Sequence, residues 1–269
     1  MEKKRIIPGS REDRRMWEME EADRRRYTPR ILPPLPDAIL EYYITRDNER
    51  EKAKEILAEK MRKREELRIA IQKNGRLTVL SLNLVETAMR AVNIPLTKEI
   101  REEWRKNRKM VLSPDTLQTL KIISVRQADI PWYIESGNAD YGIVGEDLLV
   151  EKEPTVTALA RLGEEEISLV IAVSKNSKIR KMRDLNGKIV ATSFPNTLKK
   201  ELARRKIEPK TITVLRGSVE TALVTGLADA ICDLTKTGET LAANNLRQLE
   251  TIRDYEPILI GKASGVRGL

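Results

Sequence analysis

From Leu67 onward the chain alternates short apolar runs with amphipathic stretches, and this rhythm constrains its fold more than any other feature. The runs Leu67 to Ile71, Thr119 to Val125, Tyr141 to Val144, Ser168 to Val173, Lys188 to Thr192, Thr211 to Leu215 and Ala230 to Leu234 are rich in Ile and Val and have strand length. Amphipathic, helix-like stretches lie between them. Strands of this kind, alternating with helices, predict an α/β fold with mainly parallel sheets. The longest largely apolar run, Ile167 to Val173, is far short of the ~20 residues a helical membrane span needs, so no membrane partner is expected.

Before Leu67 the chain has another character. Up to Glu66 it carries 18 basic and 16 acidic residues. Through Arg30 it has too little apolar surface to offset the entropy of ordering, and disorder is expected. The prolines 33, 34 and 36 stiffen the chain, and Asp37 can cap a short helix bearing Ile39, Leu40 and Tyr43. A second helix is predicted from about Asn48 to Arg64. Its narrow stripe of Ile56, Leu57 and Met61 between Glu, Lys and Arg faces reads as a solvated helix that docks weakly. Residues 1–66 thus read as a charged extension that contributes no catalytic group. Covering apolar surface of the body that follows, through Ile56, Leu57 and Met61, is its alternative use. The near balance of charge favours a solvated extension over an arm for nucleic acid, and no nucleic-acid polymer is expected as a partner. The start of the sequence has no apolar segment followed by a cleavage site, so a cytoplasmic location is expected.

The composition removes whole classes of chemistry. There is no histidine and one cysteine, Cys232, which excludes Ser-His-Asp triads, Cys-His dyads, imidazole-ligated zinc and an internal disulfide. Cys232 sits in an apolar strand and reads as an inert core residue. Catalysis is left to carboxylates, Arg and Lys, hydroxyls, backbone N–H groups or a hard metal ion. The formal charge of +9 favours polyanionic ligands in general.

Two stretches repeat one pattern. Arg126, a helical segment, Gly137-Asn138-Ala139-Asp140 and a strand are echoed by Arg216, a helical segment, Gly226-Leu227-Ala228-Asp229 and a strand. The repeat predicts two related lobes, each with a strand whose loop opens onto a helix start, enclosing a polyanion in the cleft between them.

The richest chemistry lies in Ile231 to Leu241. There a buried strand ends at Asp233 and runs into Thr235, Lys236, Thr237, Gly238, Glu239 and Thr240 before a helix. Three hydroxyls, a glycine and a helix start make a phosphate cradle, although such a turn taken alone also serves as a capped loop. Asp233, Asp229 and Glu220 are carboxylates suited to ribose hydroxyls or to a metal-bound sugar phosphate, with capping and surface solvation as their plainer roles. At the first strand's end, Lys73 and Arg76 flank Gly75 and equally suit an ordinary strand-to-helix turn. Arg108 and Lys109 could be surface charge, and Arg126 follows a strand at the edge that lines the cleft in open α/β sheets.

Taken together, Leu67 to Leu77, Ala139 to Asp147, Gly217 to Glu220 and Gly226 to Leu241 closely resemble, in order, the ATP phosphoribosyltransferase family of histidine biosynthesis. Lys188 to Asn196 and Asn107 to Val111 are similar to further family segments. The resemblance spans about Leu67 to Ser264. It implies a fold similar to type II periplasmic binding proteins, with residues 67–155 plus 250–269 as the first lobe and 156–249 as the second. It also implies Mg²⁺ dependence and transfer of phosphoribosyl from phosphoribosyl diphosphate to N1 of ATP with loss of diphosphate. By the same resemblance, Thr235 to Thr240 hold the sugar 5′-phosphate, Asp233 and Glu220 face the ribose, and Lys73, Arg76, Arg108 and Arg126 face ATP phosphates or diphosphate. Of these, Arg126, Arg108 and Lys73 are the catalytic candidates. A homo-oligomer and a separate regulatory subunit are the expected protein partners.

The chain departs from the short-form pattern in its 66 leading residues and in the acidic run Gly163 to Glu166. It also stops at Gly265 to Leu269, without the final helix that packs on the first lobe in the family and without the regulatory domain that long-form members append, so direct histidine feedback is not expected of this chain alone. A ligand-binding module or a regulator's effector domain on the same fold is the alternative reading. An inactive paralogue would be marked by a broken phosphate loop, and here the loop sequence is intact.

Overall fold

The computed structural model describes residues 37–63, 66–93, 111–112, 120–163 and 166–262, with side chains from residue 47 onward except at 111–112. The predicted disorder through Arg30, the prolines 33, 34 and 36, Arg108, Lys109, Glu164, Glu165 and the stretch 263–269 lie outside these residues, as do the side chains of Ile39, Leu40 and Tyr43. The chain divides into two compact units, Met1–Asn48 and Glu49–Leu269, and among the described residues every strand lies in the second.

Eleven strands among the described residues form two sheets. The first contains β1 (Leu67–Gln72), β2 (Val111–Leu112), β3 (Leu120–Val125), β4 (Tyr141–Gly145), β5 (Val156–Arg161) and β11 (Pro257–Lys262). The second contains β6 (Ile167–Ser174), β7 (Ile189–Thr192), β8 (Thr211–Val214), β9 (Ala230–Thr235) and β10 (Leu246–Tyr255). The α/β class therefore holds, but both sheets are mixed. β1 is parallel to β3 and β4, and β7 to β8 and β9. β11 and β6 run antiparallel to β4 and β9. The expectation of mainly parallel sheets fails because an apolar run does not fix a strand's direction: the buried runs β6 and β11 meet β9 and β4 antiparallel, and β10 and β5 continue antiparallel beyond them.

The order β3-β1-β4-β11-β5 in one sheet corresponds, strand for strand, to β8-β7-β9-β6-β10 in the other. The repeated Gly-x-Ala-Asp motif occupies the same place in both. The Asp140 carboxylate accepts the Arg68 N–H at 2.8 Å while its own N–H donates to the Arg68 carbonyl at 2.8 Å. Asp229 makes the same pair with Ile189, both bonds at 2.9 Å. The aspartates thus fasten β1 to β4 and β7 to β9, each satisfying a donor and an acceptor at the strand's start.

The chain changes sheet after Arg161 and again at Glu256. Strand Val156–Arg161 belongs to the first sheet, and Glu250–Tyr255, past the predicted return point, still belong to the second, so the sheets change later in the chain than the expected breaks at 155/156 and 249/250. Both crossings meet at Glu146. Its carboxylate pairs with Arg161 at 3.1 Å and Arg253 at 2.8 Å, and its N–H donates to the Glu256 carbonyl at 2.9 Å.

The helix before β1 differs from its sequence reading. One helix, α1 (Asp37–Arg62), replaces the two predicted pieces, and no Gly or Pro interrupts it. Within the second unit it is not weakly docked. Ala53, Leu57, Ala58 and Met61 are all at most 3% exposed and pack in one core with Ile69, Ile71 and residues of α2 (Leu77–Ala91), while Ile56 is partly buried. The stripe looked narrow because two of its members are alanines, which cover area without raising apolar periodicity. Burying Leu57 and Met61 is worth ~1.5 to 3 kcal/mol each.

Leu57→Ala should lower unfolding free energy by about 2 to 5 kcal/mol, read as a shift of the urea midpoint. A midpoint within error of the parent would mean that the helix is not part of the core.

Candidate active site

The first half of β9 is core and the second half is site. Ala230, Ile231 and Cys232 are buried, and Asp233, Leu234 and Thr235 emerge from the sheet. The chain then turns through Gly238 into the short helix α7 (Glu239–Ala243). Gly238 has φ of 75°, which L side chains adopt with strain, and its N–H donates to Thr235 Oγ1 at 3.0 Å. A Cβ there would meet nothing within 4 Å, so glycine is required for the turn itself rather than for a close neighbour.

This turn forms a hollow of about 180 Å³, whose lining includes Glu220, Asp233, Thr235, Lys236, Thr237, Gly238, Glu239 and Thr240. The structure therefore brings together all eight residues expected around phosphoribosyl diphosphate. Burial holds the Asp233 carboxyl above the ordinary carboxylate range, and the neighbouring Glu220 adds to the effect. Asp233 Oδ1 accepts the Leu234 N–H at 2.9 Å and the Ser193 hydroxyl at 3.2 Å. Among the described residues, no group of three or more His, Cys, Asp or Glu side chains is placed to hold a metal by itself.

Of the expected cations, Lys73, Arg76 and Arg126 lie on the corresponding edge of the first sheet and none of these three lines this hollow, while Arg108 is outside the described residues. The Lys73 N–H donates to the Val125 carbonyl at 2.8 Å, so Lys73 and the exposed Arg126 sit at the ends of neighbouring parallel strands. Arg76, just before α2, pairs with Asp147 at 3.0 Å. Asp147 belongs to α4 (Glu146–Lys152), which follows β4 directly; α3 (Ile130–Glu135) precedes β4. Burial raises the Asp147 carboxyl above its usual range, and the Arg76 charge opposes that shift. A Cβ on Gly145 would stand 1.9 Å from Asp147 Oδ1 and 2.6 Å from an Arg76 nitrogen, so the ion pair requires a glycine there.

One open sequence reading is decided against the site and another holds. Asp229 lies at the start of β9, across the sheet from the hollow, where it fastens Ile189; its role is the structural one. Cys232 is fully buried and its thiol is pushed up to about 12, so it is no nucleophile. Sequence reasoning assigned no role to Asp147 or Ser193. Asp147 had a usable signal, a carboxylate just past a strand end in a lobe whose neighbouring loop supplies an arginine. Ser193 had none, because its partner is 40 residues away in sequence.

The duplicated sheets and the polar hollow at one edge define a two-sheet α/β protein with its site on the loops that follow parallel strands. Residues 126–267 match the ATP phosphoribosyltransferase family model. The chain is 37% identical over 193 residues to the ATP phosphoribosyltransferase of Cytophaga hutchinsonii, covering 72% of this chain and 63% of that one. It is 35% identical over 205 residues to that of Maricaulis maris, covering 74% and 65%. Among solved structures it is similar to the ATP phosphoribosyl transferase (HisG:HisZ) complex from Thermotoga maritima, at 28% identity and a TM-score of 0.57, covering 75% of this chain and 90% of that one. The chain belongs to the ATP phosphoribosyltransferase family, and it spans a little under two thirds of the length of these curated relatives.

Gly145→Ala is expected to separate Arg76 from Asp147 and to lower stability by about 1 to 3 kcal/mol, read from the urea midpoint; an unchanged midpoint would mean that the pair tolerates a side chain there. Asp229→Ala should cost about 1 kcal/mol by the same measurement, and no loss would mean that it fastens no strand.

Proposed function

We propose that this chain transfers the phosphoribosyl group of phosphoribosyl diphosphate to N1 of ATP, releasing diphosphate, as the first step of histidine biosynthesis. The observation that carries the proposal is the convergence of Glu220, Asp233 and the Thr235 to Thr240 turn on one hollow in a member of this family.

In this reading the adenine N1 lone pair forms the bond to the anomeric carbon as the bond from that carbon to the diphosphate oxygen breaks. Positive charge builds on the ribose and negative charge on the departing diphosphate. The Thr235, Thr237 and Thr240 hydroxyls, the turn's backbone N–H groups and Lys236 hold the 5′-phosphate, while Asp233 and Glu220 bind the ribose hydroxyls. Arg126, Lys73 and Arg108 stabilise the leaving diphosphate, and Arg76, held by Asp147, faces ATP phosphate. No imidazole is needed, because the nucleophile carries its own lone pair and orienting the two substrates supplies much of the acceleration.

Mg²⁺ fits this site. Asp233 and Glu220 offer hard oxygen donors in the hollow, the one or two carboxylates that Mg²⁺ uses alongside substrate phosphates. Bound there, the ion would neutralise charge on the diphosphate. A cytoplasmic location suits the reaction, and among the described residues no helix is long and apolar enough to cross a membrane. A homo-oligomer and a separate regulatory subunit are proposed as protein partners; the Thermotoga maritima relative, solved as a HisG:HisZ complex, supports the second.

The test is formation of phosphoribosyl-ATP and diphosphate from ATP and phosphoribosyl diphosphate with Mg²⁺, without and with a regulatory subunit. Thr237→Ala and Gly238→Val should each raise KM for phosphoribosyl diphosphate about tenfold or more in a folded protein. Unchanged kinetics in both would remove the turn from the site. Arg126→Ala should lower kcat more than it raises either KM, since a cation facing the leaving group gains most as charge develops.

A further inference from the structure

Glu151 lies in α4, on the first-sheet half of the second unit, yet its carboxylate serves the other half. One oxygen accepts the Asn196 N–H at 2.9 Å; the other accepts the Thr197 N–H at 2.9 Å and the Thr197 hydroxyl at 2.8 Å. The Asn196 side-chain amide donates to the Glu151 carbonyl at 3.0 Å. These groups form the start of α5 (Pro195–Arg204), whose N–H donors would otherwise lack partners. Glu151 is 9% exposed and Thr197 7%, so this is a buried carboxylate bound by several donors, not a surface contact.

The turn that leads into α5 is tied in its other direction to β9. The Thr192 hydroxyl donates to the Cys232 carbonyl at 2.7 Å and accepts the Phe194 N–H at 2.8 Å. Between them, the Ser193 hydroxyl donates to Asp233 Oδ1 at 3.2 Å. An unbroken series of hydrogen bonds and short backbone links therefore runs from α4, through the start of α5 and Ser193, to a carboxylate of the hollow.

We propose that Glu151 pins the two halves together at this point, and that Glu151 and Ser193 are positioning residues for Asp233. The inference rests on the transferase reading for its kinetic consequence, while the pin itself is a property of the fold. Neither residue touches substrate. Ser193 fixes which Asp233 oxygen turns into the hollow, and Glu151 fixes Ser193 by holding the helix start behind it. A displacement of α4 is thereby transmitted to the ribose side of the site, so the two halves cannot move independently there.

Ser193→Ala and Glu151→Ala should each raise KM for phosphoribosyl diphosphate about tenfold with KM for ATP unchanged, whereas Ser193→Thr, which keeps the hydroxyl, should restore it. The double variant should be no worse than the more severe single one, because both act on one oxygen. Amide exchange in the ligand-free protein supplies a second readout. Glu151→Ala, or Glu151→Gln if the alanine variant does not fold, should speed exchange at Asn196 and Thr197 and also at Leu234. Additive kinetic effects, both Michaelis constants rising together, or an exchange change confined to Asn196 and Thr197 would overturn the proposal. If the parent protein forms no phosphoribosyl-ATP, the transferase reading fails, and exchange at Leu234 still decides the pin.

Discussion

The arrangement depends on how strand Ala230–Thr235 is held. It is the middle strand of its sheet, parallel to β7 on one side and antiparallel to β6 on the other. Its first three residues are core, so they cannot shift without opening that core, and Asp233 and Thr235 present polar groups from a fixed end while Leu234 packs against the core. A glycine at positive φ then turns the chain within three residues. Rigid strand, abrupt turn and short helix together give the hydroxyls, carboxylates and backbone donors a set position.

The duplicated strand order places this edge in a wider frame. In each half a strand, β1 or β7, is fastened at its start by an aspartate of the Gly-x-Ala-Asp motif, and the loops that carry the candidate site residues emerge from the opposite ends of the strands. The halves have diverged in what they display there. The first presents Lys73, Arg76 and Arg126, with Arg76 braced by a buried carboxylate; the second presents the Thr/Gly turn with two carboxylates. That division suits a reaction between two polyanions, one of which must lose diphosphate.

Much of this was legible in the sequence. The seven apolar runs that predicted strands all are strands; six have buried positions that leave a trace of Ile and Val, and only β8 has no buried residue. The eight residues around the turn are close in sequence apart from Glu220, so proximity along the chain already gathered them. What escaped has physical causes. Strands β5 and β10 pack only one face and carry charge on the other. Helix α1 buries alanines, which give weak periodicity. Asp147 and Ser193 act on partners 71 and 40 residues away, and no local pattern records such a pairing.

The most direct measurement locates phosphoribosyl diphosphate on the protein, by amide chemical-shift changes on titration with the Mg²⁺ complex. Large shifts at Thr237, Gly238, Glu239 and Thr240 are predicted at the lowest ligand concentrations. Shifts confined to Lys73, Gly75 and Arg76, with the Thr235 to Thr240 turn unmoved, would contradict the assignment of the hollow.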